Sequence, residues 1–227
     1  AAVVAEHGAV GLRGGVFKPR TSPHSFQGVQ WDGLDLLAEA RERTGLPVVT
    51  EVVDPEHVKR LAAVVDGLQI GARNMQNFAL LTAAGQSGLP VVLKRGFGCT
   101  AEDTLAAAEY LLLEGNDQVV LCERGIRTFE PSARFTLDLT AVALWKQRTH
   151  LPVMVDPSHS GGKPELVEPL SLAAVAAGAD ALIIDVHVAP EQALCDGKQA
   201  LRPQQFADLM IRLAPLAAGL GRHMSGA

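Results

Sequence analysis

The sequence predicts an α/β protein, a (β/α)8 TIM barrel whose first strand is missing from this chain. Three observations lead there. Short β-branched runs alternate with longer Ala- and Leu-rich stretches of helical period along all 227 residues. Three strand candidates open with the same step, GLPVV at 45, GLPVV at 88 and HLPVM at 150. No GxGxxG motif follows the first strand candidate, which disfavours an open dinucleotide-binding sheet. Regular strand–helix alternation implies parallel strands, because right-handed crossovers lay the helices on the sheet.

The elements follow in order. A helical segment is expected at 1–7, then strands at 10–17, 47–52, 67–71, 90–95, 118–123, 152–156 and 181–187. Helices are expected at 31–44, 55–65, 75–86, 101–114, 136–149, 165–177 and 203–218. A proline that ends a helix can open a strand at its first position, where the missing N–H costs little. Seven strands are one short of a closed barrel, so the eighth is expected upstream of Ala1. No break in composition suggests a second domain, and residues 1–227 read as a single barrel domain, incomplete at the N-terminus.

Composition narrows the function. Hydrophobic residues at 48% supply one sizeable core, and a mean hydropathy of +0.16 argues against disorder. Net charge is -5, which excludes a generally basic nucleic-acid binder. No apolar run is long enough to span a bilayer, so no membrane partner is expected. Three cysteines cannot build a disulfide framework and fit a reducing cytoplasm.

In parallel α/β folds the site lies at the C-terminal ends of the strands. Those ends carry Arg13, Lys18, Arg20, Arg73, Lys94, Arg95, Arg124 and Arg127, eight of the 20 Lys and Arg residues. In an acidic protein this focuses positive field and suits a small anion. Arginine's fork matches phosphate oxygens two at a time, and lysine can donate a proton. Glu51, Glu123 and Asp156 stand at neighbouring strand ends and offer ion pairing as a purely structural alternative. The opposite sign gathers at the last two strand ends. His159, Asp185 and Asp196, one imidazole and two carboxylates, suit a borderline divalent cation such as Mn2+, Fe2+ or Zn2+. His7, His57, His150 and His223 fall on helix or turn positions and read as surface residues, and Asn116 reads as a turn.

Five segments then resemble one family. LRGGVFKPRTSP (12–23), QIGARNMQNF (69–78), VLKRGFG (92–98), VLCERGIRTFE (120–130) and VDPSHSGG (155–162) look like 3-deoxy-D-arabino-heptulosonate 7-phosphate (DAHP) synthase. The similarity is to its short, barrel-only type, related to 3-deoxy-8-phosphooctulonate synthase. The resemblance implies condensation of phosphoenolpyruvate with erythrose 4-phosphate and water, the first step of the shikimate pathway. It implies that Arg13, Arg73, Lys94 and Arg124 hold phosphoenolpyruvate, with Glu123 beside them, and that Lys18, Pro19, Arg20 and Thr21 meet erythrose 4-phosphate. It places the metal on His159, Asp185 and Asp196, makes Lys18 and His159 the catalytic candidates, and implies a homo-oligomer.

The sequence departs from the family in two places. The family's Gly-Pro-Cys-Ser segment, which supplies a cysteine ligand, is not in this chain, and Asp185 stands where the family usually has Glu. Both predict weakened or absent metal binding if that cysteine is truly missing. Two other readings stay open: the sister octulosonate synthase using arabinose 5-phosphate, and a non-catalytic phosphoenolpyruvate-binding relative or fragment.

Overall fold

The computed structural model describes residues 1–20 and 22–225. Seven strands are present among them: β1 (Leu12–Arg13), β2 (Val48–Val52), β3 (Gly67–Ile70), β4 (Val91–Lys94), β5 (Val119–Glu123), β6 (Val153–Val155) and β7 (Ala181–Leu182). Their order in the sheet is the order of the chain. The helices are α1 (Ala2–Glu6), α2 (Gly33–Thr44), α3 (Val58–Ala62), α4 (Phe78–Gln86), α5 (Ala101–Leu113), α6 (Leu139–Arg148), α7 (Pro157–Gly161), α8 (Pro164–Ala176) and α9 (Pro203–Gly219). The chain divides into two compact units, one of residues 1–5 and 10–121, the other of residues 6–9 and 122–227.

In the first unit, β1 to β4 pair in parallel, with Arg13 opposite Val49, Glu51 opposite Gln69 and Ile70 opposite Leu93. The repeated Gly-Leu-Pro step explains the strand starts. Gly45 and Gly88 end helices in the left-handed region, at φ 68° and 69°, where a side chain would be strained. The prolines that follow cannot donate, yet their carbonyls complete the neighbouring ladder. Pro47 O accepts from Leu12 N and Pro90 O from Leu68 N, both at 2.8 Å. Asp66 accepts the N–H of Val48 at 2.9 Å, and buried Asn116 donates to Leu89 O at 2.8 Å. Asn116 is therefore a buried brace at the start of the strands as well as a turn residue. Leu68, Ile70, Leu80, Leu81, Leu93 and Leu111 are fully buried and form the centre of this unit's core.

β1 is shorter than the expected 10–17, and its neighbour shows why. Past Gly14 the ladder passes to a side chain: the Thr50 hydroxyl donates to Gly14 O at 2.7 Å and meets Val16 N at 3.5 Å. The chain then leaves the sheet as a loop closed by Lys18 N to Gln27 O and Gln30 N to Val16 O, both 2.8 Å.

In the second unit, β6 and β7 pair in parallel and Asp156 N donates to Glu123 O at 2.8 Å. Asp180 repeats the device of Asp66, accepting from Val153 N at 2.8 Å while pairing with Lys146 and Arg222. Trp145, Leu151, Val155 and Leu209 fill the core. β7 stops at Leu182 rather than His187 because the backbone finds another partner. Asp185 O accepts from Leu201 N and Leu201 O accepts from His187 N, both at 2.9 Å. Helix α7 was not expected. Asp156 caps it by accepting the His159 N–H at 2.9 Å, and Pro157 opens it.

Candidate active site and metal centre

The first unit holds six of the sequence-predicted substrate residues. Arg13 ends β1, and Lys18, Pro19 and Arg20 are half-buried in the loop that follows, while Thr21 lies outside the described residues. The base of that loop is pinned by aromatic contacts. The Phe17 ring lies 4.8 Å from Trp31, edge-on, and 4.7 Å from His57, stacked, and Arg60 sits 4.0 Å over Trp31. His57 is thus not the plain surface residue its position suggested. The turn at Pro55–His57 swings it over Phe17, and its Nδ1 is buried. Arg73 follows β3 in a single tight turn, exposed, with its guanidinium 5.2 Å from the Phe97 ring. Lys94 is the last residue of β4 and only 4% exposed. Arg95, next to it, turns to its own loop and donates from Nε to Cys99 O at 2.8 Å. Burial raises the Cys99 thiol above its ordinary range, with Asp103 adding.

The second unit places Glu123 and Arg124 where β5 ends. Glu123 is fully buried, and its Oε1 accepts from Gly125 N at 2.7 Å and Asp138 N at 3.4 Å. That carboxylate organises the segment that follows β5. Arg124 is 4% exposed and lies 4.4 Å over the Phe135 ring. Burial pulls its guanidinium down from the usual arginine range and Arg134 adds to this, while Asp156, Cys122 and Glu123 oppose it. A buried cation of this kind is costly, and an anionic ligand offsets the cost.

The candidate metal residues come together in this same unit. His159, Asp185 and Asp196 each offer one ligand atom, all within 4.8 Å of one another. His159 is carried on α7, and its Nδ1 lies 3.0 Å from Asp156 Oδ2 and 3.4 Å from Asp185 Oδ2. Its Nε2 lies 3.7 Å from Asp196 Oδ2. A carboxylate against Nδ1 favours the Nδ1–H tautomer, which leaves the Nε2 lone pair for a cation. Ligand bonds of about 2.1 Å put neighbouring donors about 3 to 3.5 Å apart. The 3.7 Å from Nε2 to Asp196 Oδ2 is close to that, whereas Asp185 Oδ2 lies toward Nδ1, so the Asp185 side chain must turn for all three to share one borderline divalent ion. Asp196 has a left-handed backbone, φ 55°, rare for a residue with a side chain. His187 is drawn to its own turn, its Nδ1 accepting from Ala189 N at 3.1 Å.

Sequence reasoning missed Gln199 and Arg134. Gln199 is buried and donates to Asp185 Oδ2 at 2.9 Å, and Arg134 donates to Gln199 Oε1 at 2.9 Å. The one signal available was that Gln199 lies three residues after Asp196 in the DGKQ turn.

The family model described as the DAHP synthetase I family matches residues 1–217. The chain is 51% identical over 218 residues to a phospho-2-dehydro-3-deoxyheptonate aldolase of Thermotoga maritima, covering 96% of this chain and 64% of that protein. It is 36% identical over 194 residues to a 2-dehydro-3-deoxyphosphooctonate aldolase of Syntrophotalea carbinolica, covering 80% of this chain and 69% of that one. A crystal structure of the Thermotoga maritima phospho-2-dehydro-3-deoxyheptonate aldolase (DAHP synthase) superposes with a TM-score of 0.93 at 50% identity, covering 97% of this chain and 65% of that one. The chain thus spans a little under two thirds of the Thermotoga protein's length, and by sequence and fold it belongs to the DAHP synthetase I family.

Proposed function

We propose that the protein condenses phosphoenolpyruvate with erythrose 4-phosphate and water, giving DAHP and inorganic phosphate, and so opens the shikimate pathway. The observation that most supports this is the His159, Asp185 and Asp196 cluster, set in a chain 51% identical to the Thermotoga protein. In this reading carbon 3 of phosphoenolpyruvate attacks the aldehyde carbon and water adds at carbon 2. The C–O bond to phosphate then breaks, and the new alkoxide takes up a proton.

Each residue has a role in keeping with its placement. Lys94, buried at the end of β4, supplies a fixed charge for phosphoenolpyruvate, and Arg13 and Arg73 add forks for its phosphate and carboxylate. Arg124, desolvated over Phe135, is the second unit's candidate cation for phosphoenolpyruvate. Lys18, with Pro19, Arg20 and Thr21, receives the aldehyde, and Lys18 protonates the alkoxide. Glu123 shapes the segment after β5 that carries Arg124 and Phe135. His159, Asp185 and Asp196 would hold the divalent ion, Mn2+, Fe2+ or Zn2+, which when bound polarises the aldehyde oxygen or orients water. A homo-oligomer in the cytoplasm completes the proposal. No disulfide joins the three cysteines among the described residues, and no helix there is long and apolar enough to cross a membrane.

Coupled phosphate release with each aldehyde tests the assignment. Erythrose 4-phosphate should support turnover at least tenfold better than arabinose 5-phosphate. The reverse preference would move the protein to the octulosonate reaction named for its Syntrophotalea carbinolica relative.

A further inference from the structure

We infer that Gln199 is a positioning residue that sets the direction of the Asp185 carboxylate, and that Arg134 fixes its orientation. The inference rests on the metal reading proposed above. A guanidinium has only donors, so the Gln199 atom it meets at 2.9 Å must be the amide oxygen. The amide nitrogen is thereby turned to Asp185 Oδ2, also at 2.9 Å. Rotating the amide would set oxygen against carboxylate and nitrogen against guanidinium, so Arg134 permits one orientation only.

The same residue closes the turn that carries Asp196 through its backbone. Gln199 N donates to Asp196 O at 3.2 Å, closing the turn in which Asp196 takes its left-handed φ of 55°. The next residue, Gly197, has no room for a side chain, because a Cβ there would collide with Pro190 O. Asp185 is held from its other side as well. Its N–H donates to the buried Ser158 hydroxyl at 3.0 Å, and its carbonyl accepts from Leu201 N at 2.9 Å. With its backbone fixed, only side-chain torsions decide where the Asp185 carboxylate points. Gln199, 3% exposed, acts on them from a buried position. This bears on Asp185 in particular, since an aspartate has a short stem and little slack to find a metal on its own.

Mn2+ titration of the protein, read by electron paramagnetic resonance, and the visible spectrum of the Co2+ form test the inference. Gln199→Leu should weaken Mn2+ binding 10- to 100-fold, roughly the range for outer-shell partners, and alter the Co2+ bands. Gln199→Glu, nearly isosteric, should do the same by facing Asp185 with a second carboxylate. It decides the matter if the leucine variant fails to fold. Arg134→Met should weaken binding severalfold, and Arg134→Lys, which keeps a donor, should restore it. Unchanged Mn2+ affinity and Co2+ bands in the Gln199 variants would overturn the inference while leaving the metal reading intact. Failure of the unaltered protein to bind Mn2+ would overturn both.

Discussion

Asp156 holds His159 twice: its carboxylate accepts the histidine's backbone N–H at 2.9 Å and lies 3.0 Å from the ring Nδ1. One buried aspartate therefore starts helix α7 and fixes the imidazole that the helix carries. The sequence VDPSH encodes both acts, because a carboxylate three residues before the histidine reaches the helix N-terminus and the ring together.

Asp156→Asn should accordingly separate folding from metal binding. The amide keeps an oxygen for the cap, so stability should fall by only about 1 kcal/mol. The ring loses the nearer of the two carboxylates at Nδ1, and metal affinity should fall 10- to 100-fold. Thermal unfolding of the metal-free protein and Mn2+ titration read the two effects apart.

Arg124 and Phe135 give a graded pair. Arg124→Ala should lower kcat/KM for phosphoenolpyruvate at least a hundredfold, about 3 kcal/mol, by removing a desolvated anion partner. Phe135→Leu leaves the charge and removes the ring 4.4 Å beneath it. Its loss should be nearer threefold to tenfold, about 1 kcal/mol. Steady-state kinetics with varied phosphoenolpyruvate give the ratio.

Gly125 admits no side chain. Its φ is 91°, and a Cβ would stand 2.6 Å from Phe135 Cβ and 3.1 Å from Ser160 Cα. Gly125→Ala should destabilise by about 2 to 4 kcal/mol, from backbone strain and overpacking together. Displacing Phe135 should also raise KM for phosphoenolpyruvate. Denaturant unfolding measures the first effect.

Helix α5 begins with a reciprocal cap. Thr100 Oγ1 accepts from Asp103 N at 3.0 Å, and Asp103 Oδ2 accepts from Thr100 N at 2.7 Å. The Thr100 backbone N–H, then its hydroxyl, hold the Asp103 carboxyl below its ordinary value. A carboxyl lowered by folding stabilises above its unfolded pKa, and the benefit disappears as pH falls through the folded one. Asp103→Asn should therefore be less stable than the unaltered protein at pH 7, and the difference should shrink as acid protonates the carboxyl. Thr100→Ala should cost about 1 kcal/mol at neutral pH. Urea unfolding across the pH range checks both.

Much of this was legible in the chain, and the failures have physical causes. The prolines and glycines at 45–47 and 88–90 marked strand starts because they act through their own backbones. The charges at strand ends were legible because a parallel sheet turns every strand the same way. What depends on partners distant in sequence was not. β1 and β7 end early because Thr50 and Leu201 take over their hydrogen bonds, and neither signals this locally. His57 joined an aromatic cluster through Phe17, forty residues away. Gln199 reads as an ordinary loop residue until Arg134 and Asp185 are seen on its two ends. Asp66 and Asp180 escaped notice although they do the same work at two strand starts.

The most direct test mixes phosphoenolpyruvate, erythrose 4-phosphate and Mn2+ with the protein and follows the enol absorbance in the ultraviolet. The account predicts steady loss of that signal, stoichiometric with phosphate, abolished by EDTA and reduced at least a hundredfold in Lys18→Ala. A signal that stays constant with both substrates and metal present, in a protein that still binds phosphoenolpyruvate, would contradict it.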